Sequence, residues 1–129
     1  DRAIAILPGD AGLYVGRGDS YYSKGSHDKA IADYNKGIEL KPSIAPAYNG
    51  RGNAYAAKRD YPRAIEDYSK AIELGNNYAL AYYNRGMTYK AIGNKPYAIE
   101  DLMKCRDTAK DDSLALIANF ELKDLLSQP

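Results

Sequence analysis

The chain has 129 residues, 45% of them apolar, and 18 Lys plus Arg stand against 17 Asp plus Glu. So even a balance leaves no bulk field to attract nucleic acid or an anionic membrane surface, and no apolar run approaches the roughly 20 residues needed to span a bilayer. A single cysteine, Cys105, excludes an internal disulfide. The chain opens on Arg2-Ala3-Ile4-Ala5-Ile6-Leu7-Pro8, which aligns with Lys36 to Pro42, 34 residues later. The alignment predicts that residues 1–10 are the end of an upstream repeat and that the sequence is a fragment of a longer array.

Residues 11–44 read as a helix pair. Leu13, Tyr14, Gly18 and Tyr21 recur at helical spacing over Gly12 to Lys24. Lys24-Gly25-Ser26 interrupts them. Ala30, Ile31, Tyr34 and Ile38 then mark one face of a second helix from His27 to Leu40. Lys41-Pro42-Ser43 ends it, because proline cannot continue a helix interior. Residues 45–78 repeat the plan with Ala47, Tyr48 and Tyr55, then Ala64, Ile65, Tyr68 and Ile72. Residues 79–112 repeat it again with Tyr82, Gly86 and Tyr89, then Ala98, Ile99 and Leu102. Residues 113–129 predict one closing helix, in which Phe120 stands at the slot held before by Gly18, Gly52 and Gly86. A second helix cannot nest there, which suits a terminal cap.

The 34-residue period is the strongest feature of the sequence. It absorbs the unusual aromatic content of 13 Tyr, one Phe and no Trp, since Tyr14, Tyr21 and Tyr34 each recur at their slots. Ser26, Asp60 and Asn94 share the position before each second helix, where a side-chain oxygen can accept from free backbone amides. Pro62 and Pro96 follow in the first turn, where a missing N–H costs little. A helix-interior glycine costs about 0.5–1 kcal/mol relative to alanine. Its recurrence at 18, 52 and 86 therefore predicts a close approach, expected against Ala30, Ala64 and Ala98. Arg17, Arg51 and Arg85 recur together with Asp33, Asp67 and Asp101. They are expected to pair, either within a repeat or across the stack from Asp33 to Arg51 and from Asp67 to Arg85.

These residues resemble the tetratricopeptide repeat (TPR) family. Its pattern appears as Tyr14-Gly18-Tyr21-Ala30-Tyr34-Gly37-Pro42, as Tyr48-Gly52-Tyr55-Ala64-Tyr68-Ala71, and as Tyr82-Gly86-Tyr89-Ala98-Leu102-Cys105. Tyr replaces the usual Trp, the arginines replace a Leu, and Asn76 and Lys110 replace the closing Pro. The resemblance implies an all-α fold, a right-handed α-alpha superhelix of antiparallel helix pairs. It implies a concave groove, lined by the first helix of each pair, that receives a peptide or extended segment of a protein partner. The residues it places there are Val15, Gly16, Asp19 and Tyr22; Asn49, Gly50, Asn53 and Ala56; Tyr83, Asn84, Met87 and Lys90; and Leu114, Ile117 and Glu121. The asparagines can both donate to and accept from a peptide backbone. Tyr83, Met87, Leu114 and Ile117 favour an apolar anchor. Some members of the family hold chaperone C-termini with a clamp of Lys, Asn and Arg. The clamp slots here carry Val15, Asp19, Gly50, Leu80 and Asn84, so binding by that route is not expected.

Self-assembly is the alternative, through Ala3, Ile4 and Leu7 at one end and Leu122, Leu125 and Leu126 at the other. RNA binding has no basic stripe to support it. No HExxH, paired cysteines or phosphate-cradling loop points to an enzyme, a metal or a cofactor. His27 reads as a helix-start residue, and Cys105, in the small slot of Gly37 and Ala71, reads as an inert core thiol.

Overall fold

The computed structural model describes residues 1–75 and 77–129; Asn76 lies outside them. Among the described residues the only regular elements are helices. They are α1 (Arg2–Ile6), α2 (Ala11–Ser23), α3 (His27–Leu40), α4 (Ala45–Ala57), α5 (Tyr61–Gly75), α6 (Ala79–Ala91), α7 (Lys95–Thr108) and α8 (Asp112–Ser127). Each predicted pair of periodic stripes forms two helices, and the closing stripe forms one.

Three of the inter-helix turns share one construction. In the first, the Gly25 and Ser26 amides donate back to the Tyr22 and Tyr21 carbonyls at 2.9 Å each. Arg59 and Asp60 do the same to Ala56 and Tyr55, and Gly93 and Asn94 to Lys90 and Tyr89. This closure ties off helix-end carbonyls but needs a left-handed residue. Gly25 and Gly93 supply it at φ 79° and 81°, while Arg59 is forced to φ 62°. The predicted caps divide. Asn94 Oδ1 accepts from the Tyr97 amide at 3.2 Å, and Asp60 Oδ1 from the Arg63 amide at 3.3 Å. Ser26 precedes α3 but makes no side-chain cap bond. Asp111 caps α8 by accepting from Ser113 at 2.8 Å.

The chain divides into two compact units, residues 1–74 and 75–129. In the first, α2 and α3 run antiparallel: Val15 meets Gly37, and four residues further along α2 Asp19 meets Tyr34. The core of this unit gathers Val15, Ala30, Tyr34, Ala47 and Ala54, with Ile31, Ile38 and Ile44 packed on it. In the second unit α8 packs on α7. Their shared core is Ala98, Leu102, Cys105, Ala118, Leu122 and Leu125.

That core corrects one expectation. Leu122 and Leu125, proposed as free apolar surface for self-assembly, are only 2% and 3% exposed. Ile4 is likewise buried at the other end. A four-residue step between Ala118 and Leu122 and a three-residue step to Leu125 place all three on the face of α8 that meets α7. The large apolar groups left exposed on α8 are Leu116, Ile117, Phe120 and Leu126.

Candidate functional site

The recurring charges serve the fold. Arg17 donates from Nε and Nη2 to the two carboxylate oxygens of Asp33, both at 2.8 Å. Arg51 grips Asp67 at 2.9 and 2.8 Å, and Arg85 grips Asp101 at 2.8 Å twice. Of the two pairings open from the sequence, each arginine takes the aspartate of its own helix pair. Arg51 extends further through Nη1, which donates to Asn35 at 2.9 Å. The Arg17 guanidinium stands 5.8 and 5.9 Å from the Tyr14 and Tyr21 ring centres; Arg85 stands at 5.7 and 6.0 Å from Tyr82 and Tyr89. The Tyr-x-x-Arg-Gly-x-x-Tyr spacing thus places a cation between two rings on one helix face. The hydrogen bonds to aspartate raise all three arginine pKa values. Burial pushes the Asp67 carboxyl up, against the pull of Arg51. With these arginines committed to aspartates, their pairing belongs to packing.

Tyrosines penetrate between the helices, and the glycines make room for them. A Cβ on Gly18 would lie 2.9 Å from the Tyr34 ring, and one on Gly50 only 2.5 Å from it. Gly52 stands in the same relation to Tyr68, at 2.7 Å. The expected contact with alanine is therefore only part of the approach: each glycine also faces the bulky residue four positions beyond it. Ala64 and Ala98 are met as well, through carbonyl oxygens 3.2 and 3.3 Å from a Cβ on Gly52 and Gly86. The buried rings bring their hydroxyls to the first helix. Tyr34 Oη donates to Asp19 Oδ1 at 2.5 Å, and Tyr68 Oη to Asn53 Oδ1 at 2.6 Å. In the third pair Leu102 takes the ring's place and Met87 the acceptor's, both without a polar atom to satisfy. Desolvation, then the hydrogen bond to Asp19, drives the Tyr34 hydroxyl pKa well up.

The predicted groove residues fall into three groups. Val15, Asn49 and Gly50 are buried, a correction to their expected exposure. Val15 fills the space against Gly37, and Gly50 lies under Tyr34. In the first unit Asp19 and Gly16 are exposed and Tyr22 is half-buried, with His27 tilted against its ring at 5.5 Å. Asn53 is half-buried and already accepts from Tyr68. In the second unit Tyr83, Met87 and Leu114 are half-buried on the α7–α8 core, Asn84 is half-buried, and Ile117 is 47% exposed. Lys90 joins α6 to α8 through Glu121 at 2.8 Å and Asp124 at 3.3 Å. Desolvation raises the Tyr83 hydroxyl pKa, with the Glu121 charge adding to it. Tyr83, Lys90 and Glu121 thus share one neighbourhood.

Sequence reasoning missed Asp124 and the acceptor role of Asp19 and Asn53. A signal for the second was present: Tyr goes with Asp or Asn at that slot, and Leu goes with Met. No group of three or more His, Cys, Asp and Glu side chains suited to a metal occurs among the described residues. Nor is any described helix long and apolar enough to cross a membrane. Cys105 is fully buried, and desolvation pushes its thiol up to about 11. It is therefore neutral and shielded at physiological pH.

Comparison with known proteins agrees with this geometry. Residues 18–59 and 52–93 match the family profile described as TPR repeat, and residues 79–111 match that of the tetratricopeptide repeat. A search of curated proteins gave no match. Among solved structures, the first TPR of Spaghetti (RPAP3), bound to the HSP90 peptide SRMEEVD, is 25% identical over 90% of each chain, with a TM-score of 0.82. YrrB, described as a TPR protein with an unusual peptide-binding site, is 27% identical over 97% of this chain and 63% of its own, at 0.83. The TPR2B domain of yeast Sti1, in complex with a pHsp70 peptide, is 26% identical over 86% of this chain and 97% of its own, at 0.75.

Proposed function

Because the chain belongs to the tetratricopeptide repeat family, a family of protein-interaction modules, we propose that it is a non-enzymatic scaffold that receives a peptide or extended segment of another protein on the faces of its first helices. The observation that carries this reading is the α6–α8 face. Tyr83, Met87 and Leu114 pack on one core and leave part of their apolar surface uncovered, Ile117 is exposed on the same helix as Leu114, and the Lys90 bridges to Glu121 and Asp124 place charge beside Tyr83. Apolar anchors inside a charged rim are what a peptide side chain and its backbone require. The first unit offers a more polar face, Asp19, Tyr22 and Asn53, on α2 and α4.

The carboxylate clamp of chaperone-binding relatives has no counterpart here. Val15 is buried, Gly50 lies under a ring, Asp19 is itself an anion, and Leu80 is apolar. A peptide whose main feature is its terminal carboxylate would find no cation at those slots.

The test is capture of a partner by immobilised chain, compared with a Tyr83→Ala/Met87→Ala double variant checked for unchanged helicity. Loss of the captured protein supports the face; undiminished capture removes it. Self-assembly remains the second reading, on the exposed Leu116, Phe120 and Leu126 of α8. Light scattering at rising concentration separates the two, since a mass that stays at one chain leaves only the peptide face.

A further inference from the structure

We infer that the α2–α4 face of the first unit selects a segment carrying a cationic side chain, Lys or Arg, through Asp19. This rests on the peptide-binding reading above and names the chemistry of the partner.

The argument starts from charge. Helices α2 and α4 carry only three charged side chains, Arg17, Asp19 and Arg51. Both arginines are locked two-pronged onto Asp33 and Asp67, which are 8% and 5% exposed as side chains. Those pairs cancel. At the end of α4, Lys58 is held by Asp28. Among the described residues Asp19 is left as the one charge of these two helices without a counter-charge. Its hydrogen-bond partner, the Tyr34 hydroxyl, is neutral. That bond fixes one carboxylate oxygen and leaves the other oxygen of an exposed side chain to solvent. A carboxylate held in place by a buried phenol needs no reordering to meet a cation.

The surroundings suit the same ligand. Gly16, Asp19 and Tyr22 follow one another at three-residue steps, so they form a stripe along α2. Nothing lies within 4 Å of where a Gly16 Cβ would stand, so beside the carboxylate the helix wall is bare main chain. On the other side of Asp19, Tyr22 presents a ring, half-buried, with His27 tilted against it. A carboxylate with an aromatic ring beside it is a receptor for ammonium or guanidinium. An acidic segment would instead meet an uncompensated like charge.

The probes are three labelled decapeptides on one apolar skeleton, with Arg, Glu or Ser at the same three positions, titrated against the whole chain by fluorescence anisotropy. The Arg peptide is expected to bind about tenfold tighter than the Glu peptide, because a lost attraction and a gained repulsion between exposed charges are each worth up to about fivefold. Asp19→Asn keeps an acceptor for Tyr34, as Asn53 does for Tyr68, and is expected to cut the preference about fivefold. Asp19→Lys is expected to reverse it. Equal binding of the Arg and Glu peptides, tighter binding of the Glu peptide, or an unchanged preference in Asp19→Asn overturns the inference. If the Arg and Glu peptides bind equally while the Ser peptide binds and the Tyr83→Ala/Met87→Ala variant loses it, the peptide face survives and only the charge selection falls. If none of the three binds, both fall.

Discussion

The first and third helix pairs solve one packing problem with opposite chemistry. In the first, a tyrosine ring fills the gap against Gly18 and Gly50, and its hydroxyl ends on Asp19. In the third, Leu102 fills the gap against Gly86, and Met87 replaces the acceptor. The shape is kept while the polar atoms come or go together. A hydroxyl carried inward without an acceptor would cost about 1–3 kcal/mol, and an acceptor is not needed where no hydroxyl arrives. The side effect lies on the surface. The first pair is left with an exposed carboxylate and the third with a thioether on a half-covered apolar floor. The difference in surface chemistry between the two pairs thus follows from how each interior was filled.

What the pairs share should break first. Arg51→Ala strands Asp67, whose side chain is 5% exposed. Removing one partner of a buried pair costs about 3–5 kcal/mol, and the partial exposure of Arg51 puts the expectation near the lower end, about 3 kcal/mol. Urea unfolding followed by circular dichroism should give the same loss, within about 1 kcal/mol, for Arg85→Ala in the third pair. A variant melting like the parent would show the ladder to be ornamental. The glycines should then separate the pairs. Gly50→Ala drives a methyl to 2.5 Å from the Tyr34 ring and should cost about 1–3 kcal/mol. Gly86→Ala meets its neighbours at 3.1–3.3 Å, and the helix propensity it gains, about 0.5–1 kcal/mol, should leave it near neutral. Equal losses at both sites would mean that the ring is not what Gly50 accommodates.

Much of this was readable from the period. The helix positions, the existence of Arg–Asp pairs though not which aspartate each arginine takes, and the need for small residues at 18, 52 and 86 all follow from identical residues returning at identical slots. The contact of each glycine was less legible, because a repeat shows which residues matter without showing how far a side chain reaches. A tyrosine four residues past the alanine extends a ring's length beyond it. The inner-face prediction suffered in the same way. Val15, Asn49 and Gly50 occupy outward slots by helical spacing, yet Val15 turns into the space left by Gly37, and the tip of Tyr34 covers Gly50. The Lys90 bridge crosses from α6 to a cap helix that has no repeat equivalent, so periodicity gave no pattern for Asp124.

The comparison sharpens if the third pair is given the chemistry of the first. Leu102→Tyr places a hydroxyl beside Met87 with no acceptor, and should destabilise by about 1–3 kcal/mol. Adding Met87→Asn should recover most of it, since Asn53 serves Tyr68 in that geometry. The coupling between the two changes, measured by a double-mutant cycle, is expected at about 1 kcal/mol favourable. Additive losses would mean that the co-variation of these slots is accidental.

The smallest effect concerns the turns, where the middle pair differs from both others. Gly25 and Gly93 take the left-handed position freely, but Arg59 holds φ 62° at the same point of the α4–α5 turn. A side chain in that conformation costs roughly 1 kcal/mol. The backbone hydrogen bonds of this turn match the other two, with Asp60 N–H donating to Tyr55 at 2.9 Å, so the closure itself requires the conformation. Arg59→Gly should therefore stabilise the chain, although the added freedom of the unfolded glycine takes back part of the gain and leaves an expected increase of about 0.5 kcal/mol. Gly25→Ala and Gly93→Ala should move the opposite way by about 1 kcal/mol, for the same reason and with no steric contribution, since nothing lies within 4 Å of either site. A higher urea midpoint for Arg59→Gly at unchanged slope is the expected reading. A lower one would mean that the Arg59 side chain contributes more to the native state than its backbone strain removes.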